Sequence, residues 1–436
     1  MSLIRSGKFR GSSNRSKHNR LVSDENPLKR DYNFLSGDLH PDITFSRASG
    51  ATQTNSEGKV AFAPNNVLTS SEDIVNDWTL RGSVSVTAGQ SDPDGGTTAY
   101  LFDGVIGSGL GDVYQIVTGL PANAPYVVSF YIKKVTSTGT LYINNPQTAG
   151  AGQWNVDLSK IGTGWERITE SHAAVTVVNS HKVHTNGGGG IHIYSGGDLD
   201  FYFWHPQIEM SFSSSDAAND YISTGSGSAV YKERFDYDKD GNSKGLLIEE
   251  ARTNSQTHSL DFTAWSNART TDSLASNTID PSGGTGSTYV SQNSGETNAG
   301  SIYKSLTFSA TDYVWSIYAK KKEKNFIVGY DTNAARTYFN LATGQVGTTP
   351  ANVKAQMEDV GNEWYRCSLK FTSSSTGATN VAWYLGDTDN TTTVTGSGGV
   401  YLWGSQLEQG SFPSSFLPTL GSTASRSADI ASVSGT

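Results

Sequence analysis

Tyr126-Val-Val-Ser-Phe-Tyr-Ile-Lys-Lys134 is a run of aromatic and β-branched residues that ends on two lysines, and Tyr313-Val-Trp-Ser-Ile-Tyr-Ala-Lys-Lys321 is written on the same plan. Branched and ring side chains pack well on a pleated surface, so both runs predict strands. Ile43-Thr-Phe-Ser-Arg-Ala-Ser49 alternates apolar and polar positions with the period of two that a half-buried strand shows. Outside a few short segments, nothing follows the longer period of an amphipathic helix. Asp92-Pro-Asp-Gly-Gly96 and Pro281-Ser-Gly-Gly284 punctuate the apolar runs, as turns require.

The pattern occurs twice. Phe201-Tyr-Phe-Trp-His-Pro-Gln-Ile-Glu209 and Val400-Tyr-Leu-Trp-Gly-Ser-Gln-Leu-Glu408 each close an apolar run on Trp, with Gln and then Glu at the same spacing. Trp78 matches Trp265, the two Pro-x-Gly-Gly turns match, and Gly164-Trp-Glu-Arg-Ile168 matches Gly361-Asn-Glu-Trp-Tyr-Arg-Cys367. The copies differ mainly in turn length, where a duplicated fold tolerates change. Roughly ten short strand candidates per copy, set off by turns, imply an all-β fold of two tandem jelly-roll β-sandwich domains. The paired tryptophans are expected in the sandwich cores.

Between the copies, Tyr231-Lys-Glu-Arg-Phe-Asp-Tyr-Asp238 and Gly245-Leu-Leu-Ile-Glu-Glu250 flank an Asp-Gly turn and read as a hairpin. Thr423-Ala-Ser-Arg-Ser-Ala-Asp429 echoes Phe45-Ser-Arg-Ala-Ser49, so these segments are expected to pair into a small connecting sheet outside the sandwiches. The expected order is an extended arm over 1–36, a hairpin linker over 37–64 and a first jelly roll over 65–225. A connecting hairpin over 226–252, a second jelly roll over 253–422 and a terminal strand over 423–436 follow.

Composition supports that picture. The chain has 436 residues, 47 of them glycine, with 11% aromatic and only 17% charged residues. Aromatics at that level do not fit disorder. A net charge of -9 argues against nucleic-acid binding by the body of the protein. The single cysteine, Cys367, excludes an intrachain disulfide and reads as a buried small hydrophobe. No apolar run reaches the length of a membrane span. The arm is basic, with Arg5, Lys8, Arg10, Arg15, Lys17 and Arg20, and lacks the apolar stretch of a secretory signal. It is too polar to form a core of its own. It reads as a solvated tail or as an anchor that orders against an acidic partner surface, and the anchor reading is preferred.

Ile43-Thr-Phe-Ser-Arg-Ala-Ser-Gly-Ala-Thr52, Arg234-Phe-Asp-Tyr-Asp238, Gly245-Leu-Leu-Ile-Glu-Glu-Ala-Arg-Thr-Asn254 and Phe412-Pro-Ser-Ser-Phe-Leu-Pro-Thr419 resemble blocks of tailed-bacteriophage head spike or head fibre proteins, which overlap with tail-fibre and tailspike proteins. The resemblance runs from about residue 40 to the end and leaves the arm outside. It implies a virion protein on the particle surface, with jelly-roll units similar to carbohydrate-binding modules. It implies partners among capsid, portal or tail proteins, a host-surface glycan as ligand, and a homo-oligomer of the trimeric kind common in fibres. It supplies no catalytic residues.

Asp236, Asp238 and Asp240 before Gly241 open like a calcium loop, but Leu247 stands where the closing Glu belongs. An acidic hairpin turn is the plainer reading, and a structural calcium is the one cofactor the pattern admits. His181, His184 and His192 border a glycine run without the carboxylate or thiol that would complete a zinc set. Glu209 and Glu408 fall at equivalent positions of different domains, where they cannot share one cleft, and are expected to cap strand ends. No nucleophile elbow or His-Glu-x-x-His pattern occurs, so no catalytic residue is assigned. Sugar rings stack on exposed aromatic faces. Tyr142, Trp154 and Tyr194 in the first copy, with Tyr330, Tyr338 and Trp383 in the second, are the glycan-binding candidates against the alternative of core packing. A displayed adhesin is the leading expectation. A ligand-free decoration or connector protein and a glycan-degrading tailspike are the alternatives.

Overall fold

The computed structural model describes residues 32–81, 84–104, 112–115, 125–136, 140–144, 153–172, 192–195, 199–212 and 216–433. The described chain divides into two compact units. One holds Pro64–Lys232 with Ala48–Gly50, and the other holds the described residues before Ala48, Ala51–Ala63 and the chain from Glu233 on.

In the first unit, one sheet runs from edge to edge as Gln153–Asp157, Thr140–Asn144, His192–Ser195, Asp112–Tyr114 and Thr79–Arg81. Its second sheet runs Glu166–His172, Tyr126–Lys134, Leu199–Met210, Ala99–Gly104 and Val84–Gln90. Alternation sets the faces. Phe130, Phe201 and Phe203 turn inward with Phe102, and their rings lie 5.0 to 5.3 Å apart.

The second unit repeats this order with one extra strand per sheet. The first sheet runs Ser266–Ala268, Ser301–Phe308, Gly377–Gly386, Phe326–Tyr330, Arg336–Asn340 and Gln345–Val346. The other runs Thr270–Leu274, Thr288–Gln292, Gly399–Gln409, Asp312–Lys321, Trp364–Thr372 and Lys354–Asp359. Both units are antiparallel jelly-roll sandwiches. The core of the second is built on Trp315, Trp383, Trp265, Phe339 and Phe371, with Cys367 among them. Burial pushes the Cys367 thiol well above its usual range.

The duplication extends to hydrogen bonds. The Asn66 side chain donates to the carbonyls of Pro206 and Ile222 and accepts from the amides of Leu68 and Ile208. Asn254 does the same with Ser405, Leu417, Gln256 and Leu407. Gln207 accepts from the Ile222 amide as Gln406 does from Leu417. Buried amides in both copies thus satisfy the backbone where chain segments cross, which apolar side chains could not do.

Trp204 and Trp403 are buried, but not in the cores where they were expected. Inward positions go to Phe201 and Phe203 in one copy and to Val400 and Leu402 in the other, so the next residue points out. Trp403 packs instead on Phe416 and Tyr318, at 4.9 and 5.1 Å between ring centroids. A bulge follows each Trp, and the residue after it, His205 or Gly404, has φ of +51° or +56°.

The connector strands lie within the second unit. Ile43–Ser46 pairs antiparallel with Ile430–Val433, Arg252–Asn254 with Ala424–Arg426, and Phe235–Tyr237 with Ser243–Leu246. Their buried charges form one network. Arg47 meets Asp429, Arg234 meets Glu249 and Asp429, and Arg426 meets Glu249. The stretch that carries Ser414 and Phe416 also explains why Tyr313–Lys321 lacks clean alternation. Both of its faces are covered, and Val314, Ser316 and Tyr318 are as buried as the core positions between them.

Candidate functional site

The second unit carries a cavity of about 240 Å³ on the outer face of the sheet that contains Phe326–Tyr330. Strand parity builds it. Ile327, Phe339, Trp383 and Leu385 face the core, which turns Val328, Arg336, Tyr338 and Tyr384 to the other side. Register then aligns them: Val328 lies opposite both Tyr338 and Tyr384, and Tyr330 lies opposite Arg336. Phe326, Val328, Tyr338 and Tyr384 make a small apolar cluster there, separate from the sandwich core.

Polar groups ring this cluster. Arg269, Asn298, Thr391 and Thr392 join the lining from neighbouring loops. The Arg336 guanidinium lies 5.3 Å from the ring centroids of both Tyr330 and Tyr384, which stand edge to face 5.8 Å apart. Such contacts stabilise a cation by about 0.5–2 kcal/mol and fix its position. Tyr338 is only 3% exposed, so it forms wall rather than platform. Its hydroxyl donates to the Thr391 carbonyl at 3.4 Å. Burial raises its pKa, opposed by Arg336 and supported by Asp389. The arrangement combines apolar ring faces with hydroxyl, amide and guanidinium groups in a recess.

The structure sorts the residues proposed from sequence. Tyr330 and Tyr338 lie at this site, Tyr330 partly exposed and Tyr338 in the wall. Trp383 does not. It is 1% exposed, packs 4.5 Å from Trp315, and its face is closed to any ligand. The sequence reading missed Tyr384, its neighbour on the opposite face. Counting parity from Val381 through Leu385 would have found it. In the first unit, Tyr142 and Tyr194 lie directly opposite one another, as Val328 and Tyr384 do in the second. Trp154 pairs with Ile143, in the register row that corresponds to Gly329 and Trp383.

Asp236, Asp238 and Asp240 do not converge on a metal site. Asp238 accepts from the amides of Asp240 and Asn242 and so stabilises its own turn. Asp236 accepts from the Thr54 amide and faces Lys244, and Asp240 pairs with Lys239. Among the described residues, no three His, Cys, Asp or Glu side chains are placed to hold a metal. His181, His184 and the arm residues Arg5, Lys8, Arg10, Arg15, Lys17 and Arg20 lie outside the described residues. Glu209 and Glu408 are caps, as expected. Glu209 accepts from the Asn219 amide and side chain, and burial raises its pKa. Glu408 accepts from the amide and hydroxyl of Ser414.

No family model matches the chain, and no curated protein matches it. Among solved structures, it is similar to the N-terminal tandem CBM22-1–CBM22-2 domain of Xyn10C from Paenibacillus barcinonensis. Identity is 13% and the TM-score 0.24, with 80% of this chain and 98% of that one covered. It is also similar to the enzymatically active domain of tailspike protein 4 of bacteriophage CBA120. There identity is 14% and the TM-score 0.26, over 33% of this chain and 21% of that one. Superposition of this extent transfers neither a site nor an activity, and the two sandwiches rest on the strand order itself.

Proposed function

We propose that this chain is a saccharide-binding attachment protein of a phage particle, acting by recognition rather than by chemistry. The observation that carries the reading is the recess formed by Tyr384, Tyr338, Val328 and Arg336 on the outer face of the second sandwich. A pyranose has one apolar face for a tyrosine ring and a rim of hydroxyls for the side chains of Asn298, Thr391 and Thr392. The glutamates of the repeated motif are spent as acceptors for their own chain, which favours binding over hydrolysis. The phage setting is drawn from the sequence blocks that resemble head spike and fibre proteins, with the basic arm docking on another virion protein. Assembly into a multimer would repeat the site and raise avidity at modest single-site affinity.

A glycan array probed with the full chain and with Tyr384→Ala tests the proposal. Binding to a defined saccharide class that the variant loses supports it. Absence of binding to every saccharide, checked by calorimetry at high ligand concentration, overturns it. A cryo-electron microscopy map of the particle tests the placement, which fails if the sandwiches are enclosed between other virion subunits.

A further inference from the structure

The recess carries charge of one sign. Arg269 and Arg336 line it, and none of its lining residues is Asp or Glu. That is notable in a chain of net charge -9. Arginines on acidic proteins are ordinarily claimed by a neighbouring carboxylate; here the nearby carboxylates direct their hydrogen bonds elsewhere, with the Asp389 charge still felt at Tyr338. Asp389 accepts from the amide and hydroxyl of Thr348. Asp387 pairs with Lys324 at 2.8 Å. Asp331 is buried and accepts from the amides of Asn333 and Ala335. Among the described residues, no carboxylate forms an ion pair with Arg336 or Arg269. Arg269 spends one N–H on the Ala299 carbonyl at 3.0 Å.

Arg336 is also prepared for a partner. The rings of Tyr330 and Tyr384 hold its guanidinium, so part of the entropy cost of ordering a long side chain is already met. The guanidinium N–H groups of Arg336 make no hydrogen bond to another described residue and so remain available. Those N–H groups form a planar fork that matches the two oxygens of a carboxylate. A neutral sugar would leave the fork unanswered.

We infer that the recess takes an acidic saccharide, whose carboxylate pairs with the Arg336 fork while the sugar ring lies against Tyr384. This deepens the saccharide-binding reading and rests on it. Arg269 adds a second positive charge at the rim, and Asn298, Thr391 and Thr392 meet the hydroxyls. The ligand class is a uronate-type or other carboxylated sugar, such as occurs in acidic surface polysaccharides.

The test uses the full chain and three probes in calorimetry: trigalacturonate, its methyl ester and sulfated maltotriose. The ester keeps the sugar skeleton and removes only the charge. The expected result is that trigalacturonate binds at least about tenfold more tightly than its ester, with an advantage that shrinks as salt rises. Arg336→Gln should abolish that preference, and Arg336→Lys should restore part of it, both with the fold retained and a melting temperature lower by no more than a few degrees. Equal binding of acid and ester, or an unaltered preference in Arg336→Gln, overturns the inference while leaving the saccharide reading intact. Preference for the sulfated probe overturns the choice of carboxylate. If none of the three binds and a glycan array is also blank, both readings fall together.

Discussion

Arg47 donates through Nη1 to Oδ1 of Asp429 at 2.9 Å, and neither side chain reaches solvent. The pair ties the strand Ile43–Ser46 to the far end of the described chain. Arg234 shares the same aspartate, and the Glu249 amide donates to it as well. Removing one member of a buried ion pair leaves an uncompensated charge, at a cost of about 3–5 kcal/mol. Arg47→Ala should therefore lower the stability of the second unit by about 3 kcal/mol. Asp429→Ala should cost more, because it strips two arginines of their shared anion. Urea denaturation of the full chain, followed by tryptophan fluorescence, checks the order, and equal effects would contradict it.

Glu249 gives this network a pH signature. Burial alone would raise its pKa, but the charges of Arg234 and Arg426 and the hydrogen bond from Ser415 outweigh burial and hold it at about 2. An unfolded glutamate titrates near 4.5. The native state therefore binds fewer protons than the unfolded state between these values. The stabilisation is complete above pH 4.5 and is lost as pH falls toward 2, by a total on the order of 3 kcal/mol. Glu249→Gln should be less stable at neutral pH and should show a flatter decline in acid. Denaturation midpoints measured across that pH range would display both effects.

The duplicated sandwiches were legible from sequence because turns and strand runs recur in one order. The buried network was legible only as words. Arg47, Arg234, Glu249 and Arg426 all lie in segments expected to come together in a connecting sheet, yet no local signal says that their charges pair and are buried. That meeting depends on pairings between Ile43–Ser46 and Ile430–Val433, at opposite ends of the described chain. The outer recess was half legible. Tyr330 and Tyr338 lie at it, Tyr338 in its wall. Trp383 faces the core and its neighbour Tyr384 faces the recess, a distinction that only strand parity makes. The placing of Trp204 and Trp403 failed for a related reason. A buried tryptophan need not face the core when another segment covers the outer face of its sheet.

Gly404 shows how tightly that cover fits. Its φ is +56°, and a Cβ there would lie 2.9 Å from the Tyr318 ring and 3.3 Å from Phe416. The equivalent position in the first unit is His205, at φ +51°, whose ring stacks between Trp204 and Tyr221 at 3.3 and 3.6 Å. One copy thus accepts a side chain where the other has no room. Gly404→Ala should destabilise the second unit by about 1–3 kcal/mol, from backbone strain and the contact with Tyr318. His205→Gly relieves the left-handed backbone but loses the stack and should change stability by less. Thermal melts of the two variants provide the comparison, and an unchanged melt for Gly404→Ala would contradict the packing described for Trp403 and Phe416.

Trp383 and Tyr384 are adjacent in sequence and opposite in role. Trp383 fills the core against Trp315 and Phe339, so Trp383→Ala opens a cavity and should cost about 3–5 kcal/mol. Tyr384 lies in the outer recess beside Arg336 and is partly exposed, so Tyr384→Ala should cost about 1 kcal/mol or less. Binding should follow the reverse order. Tyr384→Ala removes a ring from the recess and should weaken saccharide affinity about tenfold or more while the fold persists. Trp383→Phe, which keeps most of the core volume, should leave affinity near that of the parent chain. Urea midpoints and calorimetric titrations on the same preparations separate the two effects. If Trp383→Phe lost binding and Tyr384→Ala kept it, the site would have to lie elsewhere than on the outer face of this sheet.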